Sequence, residues 1–238
     1  MEPPAQRVLG DCEAHVWLAH LPSARTGLEP FASMLSSDEC ARAEKFHFAE
    51  HRERWQTTRA ILRLLLARYL EANASEITFD YNSHGKPALK DPARPDFHFN
   101  TSHSSDYAVF AVTRAGAVGV DIERIRDDLP RHEEIARRYF ARGEYEHLQT
   151  LPESKRGRAF FECWTRKEAF VKARGDGLFS GLDQFEVSLA APRLLSIAGD
   201  TTAAARWWMA ALPAVPGYTG ALAVQTPSCV ARFWKWSY

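Results

Sequence analysis

Gly119-Val120-Asp121-Ile122-Glu123 is the stretch whose reading decides the fold, and it is read together with Trp164-Thr165-Arg166-Lys167-Glu168 further along the chain. Side chains alternate across a strand, so Asp121 and Glu123 project to one face while Val120 and Ile122 project to the other. Acidic residues two apart are common on solvated strand faces, but Val118, Val120 and Ile122 place this strand in the interior, where charge is rarely left unpaired. Glu168 sits in a segment of helical spacing, with Phe160, Cys163, Trp164 and Val171, that ends at Gly175. It brings a third carboxylate toward the pair. Two such charges about 5 Å apart at an effective dielectric near 20 repel by roughly 3 kcal/mol, so the trio needs protons or a cation. An all-oxygen donor set favours Mg²⁺ or Mn²⁺ over zinc. Glu168 and Lys172 are four apart, the spacing of an ordinary surface ion pair, but Phe161 and Trp164 put apolar bulk on that face and predict partial burial.

Working outward, Tyr107 to Val112 reads as a strand, and before it Phe97 and Phe99 suggest a short strand opening into a polar loop, Asn100 to Ser105. His103 among hydroxyls lacks a Gly-x-Ser-x-Gly elbow and an orienting acid, so His103 and Ser102 read as phosphate donors. Ile77, Phe79 and Tyr81 alternate as a half-buried strand closed by the turn Asn82 to Pro87, which holds Lys86 as a point charge suited to phosphate. From Arg52 to Ala72 apolar residues recur at three and four, predicting a long amphipathic helix. A basic cluster surrounds its start: Arg42, Lys45, Arg52, Arg54, Arg59 and Arg63. Ahead of it, His15 to Ala19 is a first strand, 22–30 a loop, and Ser36 and Ser37 the start of a short helix.

After the acidic strand comes a polar connection over 124–130. Helices are predicted over Arg131 to Phe140, onward to Thr150, and from Glu153 to Arg174, closed by Gly175-Asp176-Gly177. Leu182 to Leu189, Ala204 to Leu212, Gly220 to Val224 and Val230 to Trp236 read as strands, with loops over Pro192 to Asp200 and Pro213 to Tyr218. Each half mixes helices and strands, which predicts an α+β chain of two similar halves, 1–115 and 116–238, joined near Thr113 to Gly116. No residue-level repeat relates them.

The 238 residues suffice for a substantial core, and 45% hydrophobic with 25% charged residues is an ordinary globular composition. Thirty basic residues balance thirty acidic ones, so net charge gives no reason to expect nucleic acid or an anionic membrane as partner. Cys12, Cys40, Cys163 and Cys229 have no zinc or redox spacing and fit reduced thiols. The stretch Ile61 to Leu70 is broken by Arg63 and Arg68, and no basic-then-apolar leader precedes it, so a cytoplasmic location is expected.

With these residues placed, the chain resembles the 4'-phosphopantetheinyl transferases of the larger, surfactin-synthetase-activating type. The matching segments, in order, are Gly85-Lys86-Pro87, Phe99 to Ser104, Gly119 to Glu123, and Trp164 to Lys172 with Gly175 and Gly177 behind. A weaker match reaches back to Arg42, Phe46 and Arg54. The resemblance implies two pseudo-symmetric α+β halves in a monomer, with coenzyme A held in the cleft between them. It implies Mg²⁺-dependent transfer of the phosphopantetheine arm to a serine of an acyl, peptidyl or aryl carrier protein, releasing adenosine 3',5'-bisphosphate. On that reading Asp121, Glu123 and Glu168 hold the metal; Glu168, or Glu123 in its place, takes the serine proton; and Lys172 stabilises the leaving phosphate. Arg42, Lys45, Arg54, Lys86, Pro87, Ser102 and His103 form the coenzyme A site, and Arg137, Arg138 and Arg142 are candidates to receive an acidic carrier helix. Two other readings use the same residues: a metal-dependent nucleotide pyrophosphohydrolase, and a non-catalytic module binding coenzyme A or a carrier.

Overall fold

The computed structural model describes residues 8–25, 33–126, 132–177 and 181–237. The sequence-predicted connections over 22–30 and 124–130, and the helix start at Arg131, lie partly or wholly outside them. The first half runs β1 (Glu13–His20), a short helix α1 (Leu21–Arg25), α2 (Ser37–Glu44), the long α3 (Ala49–Leu70), a hairpin of β2 (Phe79–Tyr81) and β3 (Pro87–Leu89), then β4 (His98–Ser104) and β5 (Tyr107–Thr113). The second runs β6 (Val118–Arg124), α4 (His132–Tyr139), α5 (Arg142–Thr150), the long α6 (Glu153–Arg174) and a hairpin of β7 (Phe185–Val187) and β8 (Leu194–Ile197). It finishes with α7 (Thr201–Ala204), β9 (Trp208–Ala211), β10 (Tyr218–Val224) and β11 (Val230–Lys235). Each half thus sets one long helix on one sheet, the α+β repeat expected.

Two main sheets result, ordered β11-β1-β5-β4 and β6-β10-β9. The apolar stripe of α3, Ile61, Leu62, Leu65 and Leu66, covers one face of the first sheet through Trp17, Phe99 and Phe110. Ala169, Phe170 and Ala173 of α6 cover the second sheet through Ala221 and Ala223. The faces left over meet each other through Val16, Val109, Val120, Ile122 and Leu222. The layers are therefore helix, sheet, sheet, helix, each sheet apolar on both sides, which is why Val and Ala crowd its strands.

Several segments differ from the sequence expectation. Asn100 to Ser104 is not a loop but most of β4, paired with β5 from His98↔Thr113 to Ser104↔Tyr107. Its polar residues mislead because Asn100, Ser102 and Ser104 are buried against β6, where their side chains bond that strand. The turn after it is tight, with Ser105 at φ 50. Strand β8 occupies part of the expected loop after Pro192, and the expected strand from Ala204 is the end of α7 followed by β9. The strand Val230–Lys235, assigned by chain order to the second half, pairs in parallel with β1 from Glu13↔Val230 to Leu18↔Lys235 and completes the first sheet.

Candidate active site

Strands β4 and β6 lie side by side at the junction of the halves and are joined by polar rungs in place of a continuous ladder. Asn100 Oδ1 accepts from the Val120 amide at 2.9 Å, Ser102 Oγ donates to Asp121 Oδ1 at 2.8 Å, and Ser104 Oγ donates to Glu123 Oε2 at 2.7 Å. Asn100, Ser102 and Ser104 alternate to one side of β4, and Asp121 and Glu123 share one side of β6, the common face expected for them.

Helix α6 reaches this seam because Gly119 lets it. A Cβ there would collide with the Ala169 carbonyl and the Ala173 amide, so only glycine permits the helix to lie this close to β6. Lys172 then donates to Asp121 Oδ1 at 2.6 Å and to Ser102 Oγ at 2.8 Å. Glu168, one turn earlier, is buried at 2% exposure. Its Oε1 and the Oδ2 of Asp121 are buried without a hydrogen-bond partner. Burial, then Asp121, raises the Glu168 pKa to about 7, with Glu123 adding to the rise and Lys172 opposing it. Burial, then Asp121, also raises that of Glu123.

Orphaned carboxylate oxygens beside carboxyls pushed toward protonation are what a hard cation relieves, and an oxygen-only set suits Mg²⁺ or Mn²⁺. The residues therefore fit such an ion. Among the described residues no three His, Cys, Asp or Glu side chains are grouped as a ready-made metal cage, and in this arrangement the Lys172 ammonium compensates Asp121.

His103 alternates to the side of β4 away from Ser102. It is exposed there, yet desolvation first, then Lys172, Arg54 and His51, lowers its pKa. Arg54 pairs with Glu50 at 2.6 Å and Asp106 at 3.2 Å. Arg42 and Lys45 stand exposed at the end of α2, the Arg42 guanidinium 5.9 Å from the centre of the Trp55 ring. Arg54 and Lys172 both act on the His103 ring, and these three make a basic pole beside the acidic seam. Two members of the expected basic cluster do not belong to it: Arg59 and Arg63 are buried on Glu39, Arg63 at 2.7 Å, and tie α2 to α3.

Ser102, expected on a phosphate, is bonded to Asp121 and Lys172. Lys86, expected there too, turns inward and donates to the Val118 and Ala173 carbonyls; Pro87 opens β3, half-buried. Arg137, Arg138 and Arg142 are exposed on α4 and α5, the last paired with Glu146 at 2.6 Å.

Sequence reasoning missed Asn100 and Ser104, which the alternation Asn100-x-Ser102-x-Ser104 announces once it is read as a strand. It also passed over Lys167, fully buried on Glu144 at 2.6 Å and on the Phe185 carbonyl at 2.8 Å. No local signal separates that lysine from Lys155, Arg158 and Arg174, which are exposed on the same helix.

The sequence profile of the 4'-phosphopantetheinyl transferase superfamily matches residues 117–223, and that of the 4'-phosphopantetheinyl transferase N-terminal region matches residues 22–115. The chain is 42% identical over 191 residues to the 4'-phosphopantetheinyl transferase HetI of a Nostoc species, covering 79% of this chain and 78% of that one. It is 32% identical over 168 residues to the 4'-phosphopantetheinyl transferase Sfp of Bacillus subtilis, covering 71% and 72%. A seam of three acids and a lysine between two α+β halves, with these similarities, defines a group-transfer enzyme. The chain belongs to the 4'-phosphopantetheinyl transferase superfamily, and its relatives are of the Sfp and HetI type. Among the described residues no helix is long and apolar enough to cross a membrane.

Proposed function

We propose that the protein transfers 4'-phosphopantetheine from coenzyme A to a serine hydroxyl of an acyl, peptidyl or aryl carrier protein and releases adenosine 3',5'-bisphosphate. The observation that carries this is the seam: Asp121, Glu123, Glu168 and Lys172 converge where the halves meet, with buried carboxylate oxygens of Asp121 and Glu168 left unpaired. The basic pole beside it supplies the opposite charge. Arg42, Lys45, Arg54 and His103 would face the phosphates of coenzyme A, with Ser102 beside them, while Lys86 and the following Pro87 act through the end of α6 and not on the phosphates.

Asp121, Glu123 and Glu168 would hold Mg²⁺, or Mn²⁺, which when bound supplies positive charge to the pyrophosphate oxygens. In the transfer the serine Oγ forms a bond to the β-phosphorus as the bond to the bridging oxygen breaks, and the bisphosphate leaves with that oxygen. Glu168 takes the serine proton, and Glu123 is the alternative base. Lys172, one turn along α6, stabilises charge developing on the leaving phosphate. Arg137, Arg138 and Arg142 offer an acidic carrier helix a basic landing, and charge reversal there should raise the carrier KM. We further take the protein to work as a cytoplasmic monomer, its two halves divided at 115/116 apart from the returning β11.

Intact-protein mass spectrometry of an apo carrier incubated with this protein, coenzyme A and Mg²⁺ tests the reading. The carrier should gain one phosphopantetheine, and EDTA should prevent it. Coenzyme A cleaved with no gain on any carrier would favour a pyrophosphohydrolase instead.

A further inference from the structure

The last carbonyls of a helix have no partner within it. At the end of α6 a turn from the other half of the protein supplies two of them. Asn82 Nδ2 donates to the Gly175 carbonyl at 2.9 Å, and Lys86 Nζ donates to the Ala173 carbonyl at 2.8 Å. The same ammonium donates to the carbonyl of Val118, the first residue of β6, at 3.2 Å. Asn82 Oδ1 accepts from the amides of His84 and Lys86 at 3.0 and 2.9 Å, and Gly85, at φ 79, lets the chain double back. A side chain at Gly177 would meet the His84 ring, with a Cβ 2.7 Å from Nδ1, so the docking is close along its whole length. A cation here also faces the negative end of the helix dipole.

We propose that Lys86 is a positioning residue, an ammonium brace that holds the end of α6 against the start of β6 and so sets Glu168 and Lys172 relative to Asp121. Ala173 follows Lys172 directly, and Val118 lies three residues before Asp121 on the same strand. One nitrogen therefore fixes the spacing between the two elements that carry the acids. Burial lowers the Lys86 pKa to about 8, consistent with a nitrogen held in the protein rather than displayed to solvent. The inference rests on the transferase reading and departs from a phosphate-ligand role for this lysine.

The two roles separate kinetically, because a ligand of coenzyme A moves its affinity while a brace moves the chemistry. In Lys86→Met, kcat for carrier modification should fall about 10- to 100-fold, the scale of a small misplacement of reacting groups. The Kd and KM for coenzyme A should stay within about 3-fold. Asn82→Ala, which removes the companion bond and no charge, should shift kcat in the same direction. Amide exchange over the last turn of α6 should rise in both variants, read on the folded proteins without any substrate. A rise of about 10-fold or more in the coenzyme A Kd of Lys86→Met with kcat retained, or unchanged exchange at the end of α6, would overturn the brace. Absence of carrier modification by the unaltered protein would instead overturn the transferase reading, and the exchange measurement would still decide the brace.

Discussion

Replacing Glu168 with glutamine tests the acidic seam through the pH dependence of stability. The carboxyl is 2% exposed, and burial with Asp121 and Glu123 lifts its pKa from 4.5 to about 7 against the pull of Lys172. A carboxyl whose pKa is higher in the folded state holds its proton more tightly there. Its contribution to stability is full below pH 4.5 and is lost as the pH rises through 7. At 1.36 kcal/mol per pKa unit, the interval from 4.5 to about 7 corresponds to at most about 3 kcal/mol. Glutamine has no such titration. Measured by denaturant or calorimetry in EDTA, the stability difference between Glu168→Gln and the parent should move in favour of the variant by about 2–3 kcal/mol from pH 5 to pH 8. That is about 5–10 °C in Tm for a chain of this size. Adding Mg²⁺ at pH 8 should narrow or reverse the gap, because only the parent gains a counter-ion for its third carboxylate. The variant should also lose carrier modification. A gap that is the same at pH 5 and pH 8 would refute the reasoning, since it would mean that Glu168 is ionised as freely in the folded protein as in the unfolded one.

Gly119→Ala should drive α6 off β6, because the added methyl meets helix backbone rather than a side chain that can turn away; a loss of about 3–5 kcal/mol is expected, read from the denaturation midpoint. Lys167→Met leaves Glu144 buried without its cation and should cost about 3–5 kcal/mol, part of which Glu144→Gln in the same chain should restore. Asp121→Asn removes the charge that Lys172 contacts, and initial rates of carrier modification should drop by about 100-fold or more.

How much of this was legible in the sequence depended on whether the determinant was local. The acidic strand announced itself because Val118, Val120 and Ile122 alternate with Asp121 and Glu123, and both long helices showed their period, α6 also its terminal glycine at φ 81. Strand β4 did not, since Asn100, Ser102 and Ser104 are polar for the sake of a neighbour whose position no local pattern reveals. Glu168 could be placed on its helix but not over β6, because that approach is set by the missing side chain of Gly119. Lys86 was recognised as a cation on a rigid turn, while the direction it points depends on where the end of α6 lies. Arg59 and Arg63 looked like part of a charged face for a similar reason: Glu39, which neutralises them inside, arrives from another helix.

The pairing of β11 with β1 imposes an order on synthesis. Until Val230–Lys235 has left the ribosome, β1 has only β5 as a partner, and its other edge presents unpaired amides and carbonyls to whatever strand is nearby. A nascent chain stalled before Val230 therefore carries an open sheet edge flanked by Trp17, and a chaperone or a second unfinished copy would find its binding template there. Arrival of β11 gives β1 its second partner and moves the sheet's outer edge to a strand whose side chains are mostly exposed or half-buried.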